Sequence, residues 1–422
     1  MHNTTHNTPT KMAYPILIIS LCAGFLFYKY ILQIYPSVIT QELMREFQLT
    51  GAGLGNLAAT FYYTYMIAQL FVGVILDRYS TRWLTGIAIF VCAISTFWFA
   101  HTHHLFTAEI ARSLMGIGVA FATIAYMKLA AVWFPPRHYA FISGLLASAA
   151  MAGAVFGLAP LSLMVDSIGW RESLYLIGIL GLVLALLFLI FVRDNPKTNT
   201  LAQPTLHKTH AAHPSMADIL QVFKSKQNWL LMLYCGLAFS PAIIFGGLWG
   251  SPFLEQAYQL STTEAASMIS LMFIGLGFGS PLLGVVASRV GNKRGVMIAC
   301  TLLSCITFSA ILYCHPMPSW LLAGLLFLFG FTLGVFMLTF TIAKESNSLL
   351  LTATVVSMIN ASDAILTGVT EPAIGKLLDL NWDGKIVDGA HYFSLYSYHI
   401  GLSVLSLYLL IATLLLFWIK EK

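Results

Sequence analysis

With the charges in loops and at helix ends set aside, Lys29, Arg112, Lys128, Asp363 and Glu371 remain inside long apolar stretches. A charge at the centre of a bilayer costs roughly 2.5–3.5 kcal/mol on insertion scales, so such residues ordinarily face a cavity and serve function. Asn360, Asp363, Thr367 and Glu371 are spaced three, four and four apart, which puts them on one stripe of a helix. A carboxyl group in a dry site can exchange its proton near neutral pH. Asp363 and Glu371 are therefore candidate proton-coupling groups. Lys29, with Gln33 one turn further on the same face, is a candidate ligand for a substrate carboxylate. The competing reading is that these charges pair with one another: Lys29 or Arg112 with the acidic stripe, or Arg112 with Glu109 one turn earlier. Lys128 lies five residues before Trp133, within snorkelling reach of a membrane surface.

Other polar and aromatic residues extend the candidate substrate site. Tyr62, Tyr65 and Gln69 share one apolar stretch, and Tyr234, Ser240-Pro241 and the run Gly246-Gly247-Leu248-Trp249-Gly250 share another. Tyrosines offer hydrogen bonds and apolar surface together. Glycine and proline let a transporter helix break beside its ligand. Packing is the commoner role for any one of these residues. Gly144, Ala147, Ser148, Gly153 and Gly157 are read as a small-residue rocking surface, not a ligand site. His101, His103 and His104, and again His207, His210 and His213, cluster without the partners a metal site needs. No metal and no cofactor are expected. There is no phosphate-binding G-x-x-x-x-G-K-[ST] loop, so direct ATP-driven transport is unsupported, and no catalytic arrangement stands out.

The elements that must position these residues are membrane helices. Of 422 residues, 58% are hydrophobic and 9% charged, against roughly 45–50% and about 25% in soluble domains. That supply of charge cannot coat a soluble enzyme or nucleic-acid binder. Twelve apolar blocks of bilayer-spanning length occur near 14–40, 54–76, 82–101, 105–133, 138–165, 171–192, 229–254, 264–288, 293–314, 318–344, 351–380 and 395–419. The longest polar stretch, 193–228, separates six blocks from six. The expected organisation is an all-α membrane protein with an N-terminal six-helix bundle over 1–192, a cytoplasmic linker over 193–228 and a C-terminal bundle over 229–422.

Lys and Arg in the loops set the orientation. With both termini cytoplasmic, the inner side holds fifteen: Lys11, Arg78, Arg82, Arg137, Arg193, Lys197, Lys208, Lys224, Lys226, Arg289, Lys293, Arg294, Lys344, Lys420 and Lys422. The outer side holds four, Arg45, Arg171, Lys376 and Lys385, beside acids such as Asp379, Asp383 and Asp388. The net charge of +5 is thus a topology signal, not a sign of nucleic-acid binding. No cleavable signal peptide is expected, because the first apolar block is too long and lacks a small-residue cleavage site. The six cysteines fall in or beside apolar blocks and suggest no disulfide framework.

The two halves repeat a loop. Gly73-Val-Ile-Leu-Asp77-Arg78 with Arg82 recurs as Gly284-Val-Val-Ala-Ser288-Arg289 with Lys293 and Arg294, at a constant offset of 211 residues. This loop resembles the signature of the major facilitator superfamily. The likeness extends to Arg112-Ser-Leu-Met-Gly116-Ile-Gly118, Trp133-Phe134-Pro135, Gly169-Trp170-Arg171 and Asp194-Asn195-Pro196. In that family the glycine allows close helix approach, the acid caps a helix and the basic residues pin the cytoplasmic gate. The resemblance therefore implies gating roles for Gly73, Asp77, Arg78, Arg82, Gly284, Arg289, Lys293 and Arg294, with a weaker second latch where Ser288 replaces an acid. It also ties Arg112 to proton coupling or the substrate site. Phe27-Tyr28-Lys29-Tyr30-Ile31-Leu32-Gln33, Pro36-Ser37-Val38 and Gly53-Leu54-Gly55-Asn56-Leu57 look like the intraphagosomal amino-acid transporters of intracellular bacteria.

The expectation is a secondary carrier, not an enzyme, working by alternating access in a bacterial inner membrane. Its partners are a small-molecule substrate, protons and the lipid bilayer, with no nucleic acid, and it functions as a monomer. Lys29 or Arg112 for a carboxylate and Asp363 or Glu371 for an ammonium suit an amino acid. A dipeptide, nucleoside or organic-anion carrier is the alternative, and a transporter-like nutrient sensor the alternative of another class.

Overall fold

The computed structural model describes residues 13–134, 136–195, 222–348, 351–387 and 389–421. Most of the expected linker, with Pro196, Lys197, Pro204, His207, Lys208, His210, His213 and Pro214, lies outside the described residues, as do Lys11, Pro135, Asp388 and Lys422. The side chains of Asp77 and Arg137, and the surroundings of Gly144, lie outside them too.

The first half comprises α1 (Ala13–Ile34), α2 (Thr40–Glu46), α3 (Gly51–Arg78), α4 (Thr81–His101), α5 (Leu105–Val119), α6 (Phe121–Trp133), α7 (Pro136–Phe156), α8 (Ala159–Ile168) and α9 (Trp170–Phe191). The second comprises α10 (Lys226–Ile244), α11 (Gly250–Tyr258), α12 (Thr262–Val290), α13 (Lys293–Tyr313), α14 (Ser319–Leu333), α15 (Leu338–Ser346), α16 (Thr352–Leu380) and α17 (Leu395–Leu415). A two-stranded hairpin, β1 (Ile386–Val387) and β2 (Ala390–His391), joins the last two helices.

Helices begin where a side chain can serve the unpaired N–H groups of the first turn. Thr50, Ser80, Ser225, Asn292 and Ser394 each accept from a backbone N–H, and Ser261 with Glu264 forms a reciprocal capping box. Eleven segments of the described residues are helical and apolar enough to cross a bilayer. The eleventh of the twelve expected blocks is α16, long enough at 29 residues but carrying Asp363, Glu371, Lys376 and Asp379. Its polarity is tolerated because it packs along α3 and faces the interior, not lipid.

Several blocks that read as continuous are broken inside the membrane. The fourth divides at Ala120, the fifth before Ala159-Pro160 and the tenth at a 3-10 turn over Gly334–Met337. In the seventh, Pro241 lacks an N–H and a π-helical turn follows over Phe245–Trp249. This is the break that the Gly-Pro content of that stretch suggested.

Within the second half, α12 and α14 approach at backbone contact. A Cβ added at Gly330 would stand 1.8 Å from the Met272 carbonyl oxygen, whereas one at Gly324 in the same helix would meet open space. Gly330→Ala is therefore expected to lower the melting temperature sharply, since overpacking typically costs 1–3 kcal/mol or more. Gly324→Ala should leave it unchanged, and equal melting temperatures for both variants would disprove the close approach.

Among the described residues, hydrogen bonds joining the two halves cluster at one end, that of the 35–51 and 381–394 connections. Ser37 Oγ donates to Ser251 Oγ at 3.1 Å, and Ser162 and Thr263 share a 2.9 Å bond. Thr263 also donates to Asp166. The Asp379 carboxylate accepts from the N–H groups of Gly51 (2.7 Å) and Ala52 (2.8 Å), so the end of α16 caps the start of α3.

At the other end each half ties its own loops. Asp194 accepts from Arg82 N–H (2.8 Å) and Ser80 Oγ (2.5 Å). At the equivalent point of the second half Glu421 accepts from the N–H groups of Lys293 (2.9 Å) and Arg294 (3.0 Å), while Lys293 Nζ pairs with Glu345 at 2.7 Å. The repeated motif thus recurs as a repeated structure in which an acid after the sixth and twelfth helices caps the helix that follows the loop. Two expectations change here. The implied close approach at Gly73 and Gly284 is not made: a Cβ at either would meet nothing within 4 Å, because the halves are apart at that end. The small-residue face of α7 is not purely a rocking surface either. A Cβ at Gly153 would stand 2.2 Å from the Phe27 carbonyl oxygen, so Gly153 packs on α1 of its own half, while Met151 reaches Gly277 across the interface.

Candidate functional site

Separation of the halves at one end and closure at the other leaves a cavity of about 530 Å³ between them. Gln33, Tyr62 and Asp363 line it together with Phe239, Phe336, Met127 and Met151. Of the expected substrate residues, Lys29, Gln33, Tyr62, Tyr65 and Asn360 line it, as does Asp363. Three apolar-rich helices far apart in sequence, α1, α3 and α16, bring these polar groups together.

Lys29 is only 6% exposed. Its Nζ donates to Tyr65 Oη at 3.1 Å and lies 4.6 Å from the Tyr65 ring centre and 5.3 Å from that of Tyr30. Two aromatic faces and a hydroxyl thus replace part of its hydration shell. Asp363 Oδ1 accepts from Thr367 Oγ1 at 3.3 Å. Asp363 and Lys29 feel each other's charge, and among the described residues no salt bridge joins them. The cation and the anion therefore remain on offer to a ligand lying between them.

Four expected site residues stand elsewhere. Arg112, 1% exposed, does not line the cavity. It donates to the carbonyls of Leu32 (2.7 Å) and Ala58 (3.4 Å) and stacks over Tyr35 and Phe61, locking α5 to α1 and α3. It is not paired with Glu109, which accepts from Asn56 instead. Tyr234 bonds Thr301 at 2.9 Å between α10 and α13, a packing contact within the second half. Trp249 is fully buried beyond the cavity toward the closed end. Glu371 is also beyond it: 1% exposed, with Oε2 unpartnered, in the field of Arg112 and Asp363. Lys128 bonds the Leu76 carbonyl and ties α6 to α3.

Sequence reasoning missed the wall. Phe239 and Phe336 stack at 4.3 Å and close one side of the cavity. Nothing in the sequence separates such aromatics from lipid-facing ones. Ser357 and Tyr30 also line it. Ser357 lies one turn before Asn360 on the polar stripe, a signal that helical spacing carries.

Two helical halves around a central cavity, largely apolar but carrying Lys29 and Asp363, have the architecture of a solute carrier. The Major Facilitator Superfamily profile matches residues 16–251 and 237–422. The chain belongs to that superfamily, and it is a multi-pass membrane transporter, not an enzyme. Among curated relatives it is 23% identical over 253 residues to an uncharacterised transporter of Bacillus subtilis (strain 168), a match spanning 58% of each chain. It is 23% identical over 310 residues to the hexuronate transporter of the same organism, covering 72% of each. It is 24% identical over 245 residues to a probable L-galactonate transporter of Escherichia coli (strain K12), covering 56% of this chain and 54% of that one. Among solved structures, a bacterial homologue of the human lysosomal transporter Spinster, inward-facing and unoccupied, superposes with a TM-score of 0.77 at 16% identity, covering 96% and 97%. The nucleoside transporter NupG superposes at 0.71 with 15% identity, covering 97% and 100%. At those identities the likeness is one of fold.

Proposed function

We propose that the chain imports a small carboxylate-bearing nutrient, most specifically an amino acid, with proton symport through Asp363. The observation that carries this reading is the separated pair Lys29 and Asp363 in one cavity. A zwitterion needs a cation for its carboxylate and an acceptor for its ammonium, and these two groups supply both. Gln33, Tyr62, Tyr65 and Asn360 complete the substrate contacts, and Glu371, in the closed layer above, is a second proton-carrying group. The likeness of the Phe27–Gln33 stretch to intraphagosomal amino-acid transporters supports the same substrate class. In this reading the protein works as a monomer in a bacterial inner membrane, with both termini, the 193–228 linker and the repeated loops on the cytoplasmic side. The loop residues Asp77, Arg78, Arg82, Arg289, Lys293 and Arg294 then hold the inner gate when the halves close there.

A second reading follows from relatives named for acid sugars. In a hexuronate-like substrate Lys29 takes the carboxylate, while Asp363 and Asn360 accept hydroxyl donors. Asp363→Asn separates the two. It keeps a hydroxyl acceptor but removes the charge an ammonium needs, so amino-acid binding should weaken by about tenfold or more and sugar-acid binding should barely change. Uptake into vesicles, with and without an imposed proton gradient, tests coupling: equal flux in both conditions removes the symport claim.

A further inference from the structure

Polar and apolar residues of the central cavity come from separate sets of helices. Its charged and amide groups stand on α1, α3 and α16, among them Lys29, Gln33, Asn360 and Asp363. The other elements supply an almost wholly apolar wall. From the first half, α6 and α7 contribute Ile124, Met127 and Met151. From the second, α10, the turn over Gly334–Met337 and α15 contribute Phe239, Phe336 and Phe340. Two hydroxyls interrupt this wall, those of Thr123 and Ser280, and Ser280 donates to the Leu276 carbonyl of its own helix. Phe239 and Phe336 stack at 4.3 Å, 16° from parallel, and Phe340 meets Phe336 edge to face at 6.4 Å, so three rings form one surface. Met127, Met151 and Phe340 are only half-buried, which puts the wall within a ligand's reach.

Desolvation decides what such a wall accepts. A ligand whose carboxylate is held by Lys29 leaves the rest of its bulk to this surface. A hydroxyl placed there gives up water and finds no partner, which is unfavourable. An apolar group gains from burial. An aromatic ring gains further, because ring edges pack on phenylalanine faces and thioether sulfurs sit at ring edges. The volume of about 530 Å³ leaves room for a side chain of that size beside the polar head group.

We propose that the substrate carries a large apolar side chain, aromatic by preference, and that Met127 and Met151 of one half and Phe239 and Phe336 of the other determine this specificity. The substrate class is then an aromatic or large aliphatic amino acid, not a small polar one or a polyhydroxy acid. The inference rests on the head-group reading above, in which Lys29 takes a carboxylate and Asp363 an ammonium. Like that charged pair, the apolar wall draws on both halves, so a large side chain touches both at once.

The test is calorimetric titration of the full chain in maltoside detergent with alanine, leucine, phenylalanine, 3-phenylpropionate and glucuronate. Phenylalanine should bind about tenfold to a hundredfold tighter than alanine, with leucine between them. Glucuronate should bind more weakly than phenylalanine. Phe336→Ala should narrow the ratio of phenylalanine to alanine affinity by about tenfold. Met151→Thr, a smaller change in the other half, should narrow it too and serves if the first variant fails to fold. Alanine binding as tightly as phenylalanine overturns the inference and leaves the head-group reading in place. So does a loss that falls equally on alanine and phenylalanine in both variants. If 3-phenylpropionate matches phenylalanine and both far exceed alanine, the apolar wall stands and the ammonium role of Asp363 falls. Absence of saturable binding by phenylalanine and leucine, or glucuronate binding tighter than phenylalanine, overturns both.

Discussion

Lys29→Ala is expected to abolish high-affinity substrate binding while leaving the fold intact. Lys29 is the buried cation of the cavity wall, donating to Tyr65 and enclosed by two tyrosine rings. A substrate carboxylate that loses a desolvated, hydrogen-bonded charge typically loses about 2–5 kcal/mol, which is about thirty-fold to a few thousand-fold in affinity. The fold should survive because, among the described residues, no salt bridge joins Lys29 to Asp363, so its removal strands no tightly paired partner. Thermal unfolding with and without ligand checks both parts. The unliganded melting temperature should hold and the ligand-induced rise should vanish. A full rise in the variant would remove Lys29 from the site and favour a packing role. Lys29→Arg separates charge from shape: the guanidinium keeps the charge but not the compact geometry against Tyr65, so partial recovery is expected.

The second large effect belongs to a residue far from the cavity. Asp379→Ala is expected to loosen the closed end and shift the carrier toward the state open there. Its carboxylate accepts two backbone N–H bonds at the start of α3, at 2.7 and 2.8 Å, across the two halves. Hydrogen bonds to a charged group contribute about 1.5–3 kcal/mol each, and the favourable placement of an anion at a helix N-terminus adds to them. Partial solvent access reduces the sum, leaving about 2 kcal/mol, or about thirty-fold in the balance between states. Amide hydrogen exchange over the first turn of α3 reads this directly. Gly51 and Ala52 should exchange faster in the variant, and Asp379→Asn should fall between. Exchange identical to the parent protein would show that apolar packing, with Gly55 against the Glu371–Pro372 backbone, keeps that end shut. A second readout is uptake, where a carrier that spends less time open at the opposite end should release substrate there more slowly.

The membrane class and the two-bundle fold were legible because both follow from quantities that local sequence carries. Apolar runs must reach a bilayer's thickness, and the repeat in the loops needs only a constant offset. The polar stripe on α16 was legible for the same reason, since helical spacing alone aligns Asn360 and Asp363. Which end of that stripe serves the cavity was not legible. Asp363 lines it and Glu371, two turns on, is sealed above it, because the break between open and closed ends falls between them. Arg112 shows the same limit. Its type and depth in the membrane suggested a ligand or a partner for Glu109, yet it bonds the carbonyls of Leu32 and Ala58. A buried cation can be satisfied by backbone oxygens, and those have no sequence signature.

By itself, then, the sequence determined the membrane class, the duplication and the short list of intramembrane charges, all consequences of hydropathy, helical period and the cost of burying charge. Tertiary structure alone decided that Lys29 and Asp363 share one cavity while Arg112 and Glu371 do not, and that Asp379 caps a helix of the other half. The physical reason is that these properties depend on contacts between residues tens to hundreds of positions apart, made by rigid helices whose relative placement no local pattern encodes.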